Sequence, residues 1–327
     1  MKDVFLFALR AVLPILLLML LGYLTGRRGR WDDGFFSRLN SLCFHVFLPV
    51  QLFLNVSGLE SLAAVNWRLL GYLLGGIALA LLAGALAAHC FIRDPRQKGV
   101  IAMAAFRSNQ VILGLPLAEA LGGSAAMGFA AVGTSFCVPV FNLLSVLLLT
   151  AYSDRGGRRS LAAILGETLR NPLILGAGLG FLALLLRHVV PAAEPETALP
   201  ILYQTLRELA KVASPLMLFA LGARLDLRAT RALLPQLSLG VGLRLVAMPA
   251  LLIGGAVCLR DVLGLTATEL PTLLAVFASP CAVSSTVMVQ EIGGDEQLAG
   301  QLVMWSSVLS MASLFVFALV LRALGLL

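Results

Sequence analysis

Apolar runs of roughly 20 residues recur along the whole of this 327-residue chain, and no other feature narrows its fold so far. A run of that length spans a bilayer when coiled as an α-helix, because a helix pairs its own backbone N–H and C=O groups. Ten such spans are marked, at about 4–25, 35–56, 67–91, 98–120, 125–151, 171–190, 198–221, 232–259, 268–290 and 296–324. The expected fold class is an all-α polytopic membrane protein with ten transmembrane helices. The runs are continuous rather than alternating, which argues against a β-barrel. Only 13% of the residues are charged, about half the share of a soluble domain, and mean hydropathy is +0.95. The first run begins at Val4 without a small-residue cleavage site, so it is read as a retained helix.

The net charge of +7 sits in short connections, not in a basic patch with interleaved aromatics, so no nucleic-acid partner is expected. Arg27, Arg28 and Arg30 follow the first span; Arg93, Arg96 and Lys98 follow the third. Arg155, Arg158, Arg159 and Arg170 lie in the connector at 152–170, and Arg224, Arg228 and Arg231 follow the seventh span. Few basic residues lie on the other side: Lys2, Arg68, Arg187, Arg260 and Arg322. The positive-inside rule makes the first set cytoplasmic and both termini non-cytoplasmic. A cell (inner or plasma) membrane location is expected. Cys43, Cys90, Cys137, Cys258 and Cys281 are scattered, with no zinc-type or disulfide spacing. Metalloprotease, hydrolase and P-loop motifs are absent from the sequence. No enzyme activity, metal or cofactor is expected.

The two halves resemble each other. At one constant offset "FRSNQVILGLPLAEALGG" (106–123) falls on "FASPCAVSSTVMVQEIGG", setting Phe106 on Phe277, Ser108 on Ser279, and Gly122-Gly123 on Gly293-Gly294. The same register puts Ser135 on Ser306, Pro139 on Ser310 and Asn142 on Ser313. At smaller offsets Pro14, Gly22 and Tyr23 meet Pro172, Gly180 and Phe181, and His45, Pro49 and Phe53 meet Lys211, Pro215 and Phe219. Five spans per half force the second copy into the opposite orientation. The expected repeats are 1–151 and 171–327.

Inverted repeats with helices interrupted at matching positions are the pattern of secondary transporters with a midplane site. A helix broken in the membrane exposes N–H and C=O groups, and its new N-terminus attracts an anion. Ser279-Pro280 reads as an N-cap and first-position proline, and Ser108-Asn109 as its partner. Gly114 and Pro116 read as a later kink in the second half-helix. About 13.5 Å of helix separates Lys98 from Arg107, close to the middle of a core about 30 Å thick. Arg107 is therefore either a substrate contact or a partner to the freed carbonyls. Asn109 is expected to touch substrate and to cap. Gln110, Cys281 and Ser284 join Arg107, Ser108, Asn109, Ser279 and Pro280 in the expected substrate site.

His45 and Lys211 each precede a mid-span proline by one turn and are candidates to titrate or line the cavity, or else satisfied interior residues. Glu208 is placed to pair with Lys211 at i,i+3. Ser285, Thr286 and Ser306 are candidates for cavity or coupling-ion contacts. No partner is evident for Arg10 or Arg244, and neither is assigned a role.

With these motifs in view, the chain resembles the auxin efflux carrier family, which includes plant auxin exporters and bacterial organic-acid carriers. The most specific stretches are "SNQVILGLPLAEALGG", "SPCAVSSTVMVQEIGG" and "WSSVLSMASLFVFAL". Asn109, Gly114 and Pro116 match the family's fourth-helix pattern, and Pro280 its ninth-helix break. Ser108 stands where the plant carriers have proline, and Cys281 where they have a polar residue. The resemblance implies a fold akin to sodium–proton antiporters and bile-acid symporters, with crossing broken helices 4 and 9. Spans 1, 2, 6 and 7 would form a scaffold, as a homodimer among membrane lipid; spans 3–5 and 8–10 would form a transport bundle. It implies elevator-type transport of a small organic anion, auxin-like or malonate-, malate- or lactate-like. Coupling to Na⁺ or H⁺ stays open. The alternative is a sodium-coupled symporter of larger amphipathic anions.

Overall fold

The computed structural model describes residues 2–58, 66–152, 166, 169–189, 199–226 and 228–326; the side chains of 2–12, 187–189 and 229 also lie outside the described set. The connector at 152–170 therefore falls almost wholly outside the described residues, as does the Arg10 side chain. Helices dominate: α1 (Lys2–Arg27), α2 (Asp33–Ser57), α3 (Trp67–Phe91), α4 (Pro95–Phe106), α5 (Gln110–Tyr152), α6 (Pro172–Val189) and α7 (Pro200–Ala223). After them come α8 (Leu234–Cys258), α9 (Leu270–Leu273, continuing over Leu274–Ala278), α10 (Ser284–Ile292) and α11 (Glu296–Ala323). No strand occurs among the described residues. By length and composition, α2, α3, α5, α8 and α11 suffice to cross a membrane; the described parts of α1 (Leu13–Arg27) and α6 (Pro172–Leu186) are apolar but shorter.

The helix starts follow from local chemistry. Asp32, Asn66, Asp94 and Asp295 cap α2, α3, α4 and α11, each accepting from backbone N–H groups of the first turn. Four helices widen for one turn just before a proline: Cys43–Phe47 before Pro49, Gln110–Gly114 before Pro116, Leu243–Ala247 before Pro249, and Leu274–Ala278 before Pro280. Proline has no N–H for the carbonyl one turn back and crowds it. A wider turn relieves that clash and re-pairs the carbonyls, as in Leu115 N–H donating to Gln110 O.

Glycines set the closest packing. On α1, a Cβ at Gly22 would lie 2.0 Å from Phe219 O of α7, and one at Gly222 of α7 would lie 2.0 Å from Met19 O of α1. On α6, Cβ atoms at Gly176 and Gly180 would lie 2.5 Å from Pro49 O and 2.6 Å from Phe53 O of α2. Membrane helices approach this closely only through small residues. Gly114, read from sequence as part of a kink, has a packing role: its Cβ would lie 2.6 Å from Ala275 O, where α5 passes α9. The sharp bend comes at Gly123 (φ 72°, ψ −167°), a conformation essentially restricted to glycine.

Candidate functional site

Two helices are broken, and the breaks pack against each other in the buried interior as a crossover of two extended segments. The first break covers Arg107, Ser108 and Asn109, between α4 and α5; the second covers Ser279 to Val283, between α9 and α10. The two extended segments run antiparallel, with a bridge between Ser108 and Cys281. Asn109 N–H donates to Pro280 O at 2.8 Å and Ala282 N–H to Arg107 O at 3.4 Å. Proline at 280 has no N–H to return the first bond. Cys281 N–H donates instead to Ser306 Oγ of α11 at 3.0 Å.

Neither Ser279 nor Asn109 caps the half-helix that follows its break, contrary to the expectation from sequence. Ser279 is the C-cap of α9, with Oγ donating back to Ala275 O at 2.8 Å. α10 starts five residues later, after Val283, with no side-chain cap, and Asn109 makes no capping bond either. The break is polar because its carbonyls need donors, and these come from a residue given no role above. Arg244 of α8, 1% exposed, donates Nε–H to Ser279 O at 2.7 Å and Nη2–H to Val276 O at 3.1 Å. Its Nη1 donates to Phe106 O at 3.1 Å and Ala105 O at 3.3 Å. One guanidinium thus serves the C-terminal ends of both first half-helices, where the backbone is partially negative.

That leaves Arg107 free for another purpose. It is buried, and it donates to side chains rather than to freed carbonyls: Asn142 Oδ1 at 2.8 Å, Ser284 Oγ at 2.9 Å and Ser145 Oγ at 3.0 Å. Its Nε is buried without a partner among the described residues. Neither Arg107 nor Arg244 has an acidic partner among the described residues. Arginine stays charged in proteins, so the crossover holds two buried positive charges with no counter-ion among the described residues.

Arg107 borders a cavity of about 70 Å³. Ser108, Asn109, Asn142 and Ser284 line it beside Arg107; Gln51 and Asn55 of α2 and Ser214 of α7 supply the rest of its polar lining. Leu48, Leu52, Val138, Phe141 and Met217 are among its apolar residues. Asn109 Nδ2 is buried beside it, unpartnered among the described residues. The structure thus brings together Arg107, Ser108, Asn109 and Ser284 of the predicted set.

It does not bring the rest there. Gln110 is fully buried, with both amide atoms unpartnered among the described residues, and it does not line the cavity. Ser279, Pro280 and Cys281 are also off its wall. Ser285 is buried, and Ser306 serves the Cys281 backbone. Pro116 follows the wide turn inside α5. His45 is exposed and bonds to Ser41 O at 2.9 Å, and Lys211 pairs with Glu208 at 2.7 Å on an exposed face. Among the described residues no group of three His, Cys, Asp or Glu is placed to hold a metal ion.

Thr286 borders a second cavity of about 230 Å³, with Asp33, Asn40, Arg224, Gln290 and Glu296. Arg224 pairs with Asp33 at 2.8 Å and Glu296 at 2.9 Å, and donates to Gln290 Oε1 at 2.7 Å. Burial alone would lower its pKa, but the Asp33 hydrogen bond and both carboxylate charges outweigh that and raise it. This cluster ties the ends of α2 and α7 to α10 and α11.

The family model described as "Membrane transport protein" matches residues 7–318. No curated protein matches the chain. With its apolar helices and a match over nearly its whole length, the chain is a multi-pass membrane protein and belongs to the membrane transport family of the auxin efflux carrier type.

Proposed function

We propose that the protein carries a small organic anion across the cell membrane by elevator-type alternating access, with the anion held at the crossover. The observation that carries this reading is Arg107: a buried guanidinium beside a cavity, with a spare Nε–H and no acidic partner among the described residues. A buried charge costs several kcal/mol unless it is paired, and an entering carboxylate supplies the pair. Asn109 Nδ2 adds a donor, and the starts of α5 and α10 add backbone N–H groups. At about 70 Å³ the cavity holds a few water-sized molecules, which favours a small carboxylate over a steroid-sized anion.

The packing supports inverted repeats of five spans in each half. Gly22 on α1 meets Phe219 on α7, while Gly180 on α6 meets Phe53 on α2. The sequence repeat equates Gly22 with Gly180 and Phe53 with Phe219, so one contact is made twice. In this reading α1, α2, α6 and α7 form the scaffold, homodimeric, with both termini outside. The bundle α3–α5 and α8–α11 moves. Purified protein in vesicles, offered labelled small carboxylates, tests the function. Uptake is expected in wild type and a large loss in Asn109→Ala; undiminished uptake in that variant removes Asn109 from the site.

A further inference from the structure

We infer that the transported anion is a monocarboxylate whose other end carries an uncharged hydrogen-bonding group, such as a hydroxyl, and that dicarboxylates are selected against. This rests on the anion-carrier reading above and narrows it. The lining of the cavity is polarised. Arg107 is its one charged residue among those described, and the positive features cluster around it: the buried Nε, Asn109 Nδ2, and the half-helix starts at Gln110 and Ser284. The wall from α2 and α7 is different. Gln51, Asn55 and Ser214 present two amides and a hydroxyl, and none makes a side-chain hydrogen bond among the described residues.

Those three groups decide selectivity. Neutral amides and a hydroxyl pair well with a substrate hydroxyl or carbonyl, and a purely apolar tail would leave them dry and unpaired. A second carboxylate would reach the same wall with no cation to meet it, and a buried unpaired charge is worse than an unpaired amide. Arg244 is not available to help. Its donors go to four carbonyls at the ends of α4 and α9, whose partial negative charges offset its own.

The test uses purified wild-type protein and a ligand series: lactate, 3-hydroxybutyrate, propionate, malonate and succinate, read by thermal stabilisation and by competition for uptake in vesicles. The hydroxy monocarboxylates should bind tightest. Propionate and succinate should be weaker by roughly ten- to a hundredfold, the scale set by one unpaired buried polar group. Malonate or succinate binding as tightly as lactate overturns the charge selection, and propionate matching lactate overturns the role of the α2–α7 wall. In either case the anion-carrier reading stands. Binding of no carboxylate from either class defeats that reading itself, and this inference with it. A second variant adds a gain-of-function arm: Gln51→Arg puts a cation on the neutral wall and should move preference toward succinate. If that variant does not fold, the ranking on wild type still decides.

Discussion

Replacing Arg244 tests whether one side chain holds the crossover together. Arg244→Met keeps most of the volume and removes four donors, at 2.7, 3.1, 3.1 and 3.3 Å. Each charge-assisted bond contributes about 1.5–3 kcal/mol net of water, so simple addition overshoots. Removing the charge also removes its desolvation cost, several kcal/mol for a fully buried ion. What remains is four carbonyls without that donor at two helix ends, each costing about 1–3 kcal/mol, and after the relieved desolvation the expected loss is about 3–5 kcal/mol. At about 2 °C per kcal/mol for a chain of this size, the melting point of purified protein should fall by roughly 6–10 °C. Arg244→Lys keeps the charge but loses the planar fork, and a single ammonium cannot reach both segments at once. It should therefore also melt well below wild type. A melting point within a degree or two of wild type for both variants refutes the claim that Arg244 secures the break.

The other predictions concern separate parts of the molecule. Arg107→Gln should abolish carboxylate-dependent stabilisation while leaving the ligand-free melting point unchanged or higher, because it removes an unpaired buried charge; a drop in the ligand-free protein would instead mark Arg107 as structural. Gly22→Leu should prevent α1 and α7 from docking, since even a Cβ meets Phe219 O at 2.0 Å, whereas Gly254→Ala, with open space around it, should behave as wild type in size-exclusion profiles. Gly123→Ala should lower stability by about 1–3 kcal/mol through backbone strain, measured by thermal unfolding. Arg224→Gln should loosen the α2–α7 end from α10 and α11, seen as faster proteolysis or hydrogen exchange there. A raised arginine pKa gives stability that is present below the ordinary value and is lost only as pH climbs past the folded one. The difference between Arg224→Gln and wild type should therefore not vary with any Arg224 titration between about pH 6 and 9.

The helices were readable because their cause is local: an apolar run in a bilayer has one way to satisfy its backbone. The breaks were half readable. Ser108-Asn109 and Ser279-Pro280 marked where the chain stops being helical, but not which end each residue would serve. Ser279 closes α9 rather than opening α10, because the second break runs on to Val283, and nothing in the residue types there announces its length. The widened turns carry a signal in the sequence, a proline two residues downstream of each of the four. Arg244 was beyond reach for a different reason. Its partners are carbonyls at Ala105, Phe106, Val276 and Ser279, and a carbonyl leaves no mark in sequence. Only an arginine stranded in an apolar span hinted at it.

If the bundle moves as proposed, the pair of buried arginines would also set how the carrier responds to voltage. In an elevator both would travel with the bundle, so at the crossover the empty form moves two positive charges and the monocarboxylate-loaded form moves one. A charge that crosses the full field gains or loses about 2.3 kcal/mol per 100 mV. A potential negative inside would then favour the inward position of the empty bundle more strongly than that of the loaded one. The resting electrical state of the membrane, as much as the anion gradient, would decide on which side the binding site waits.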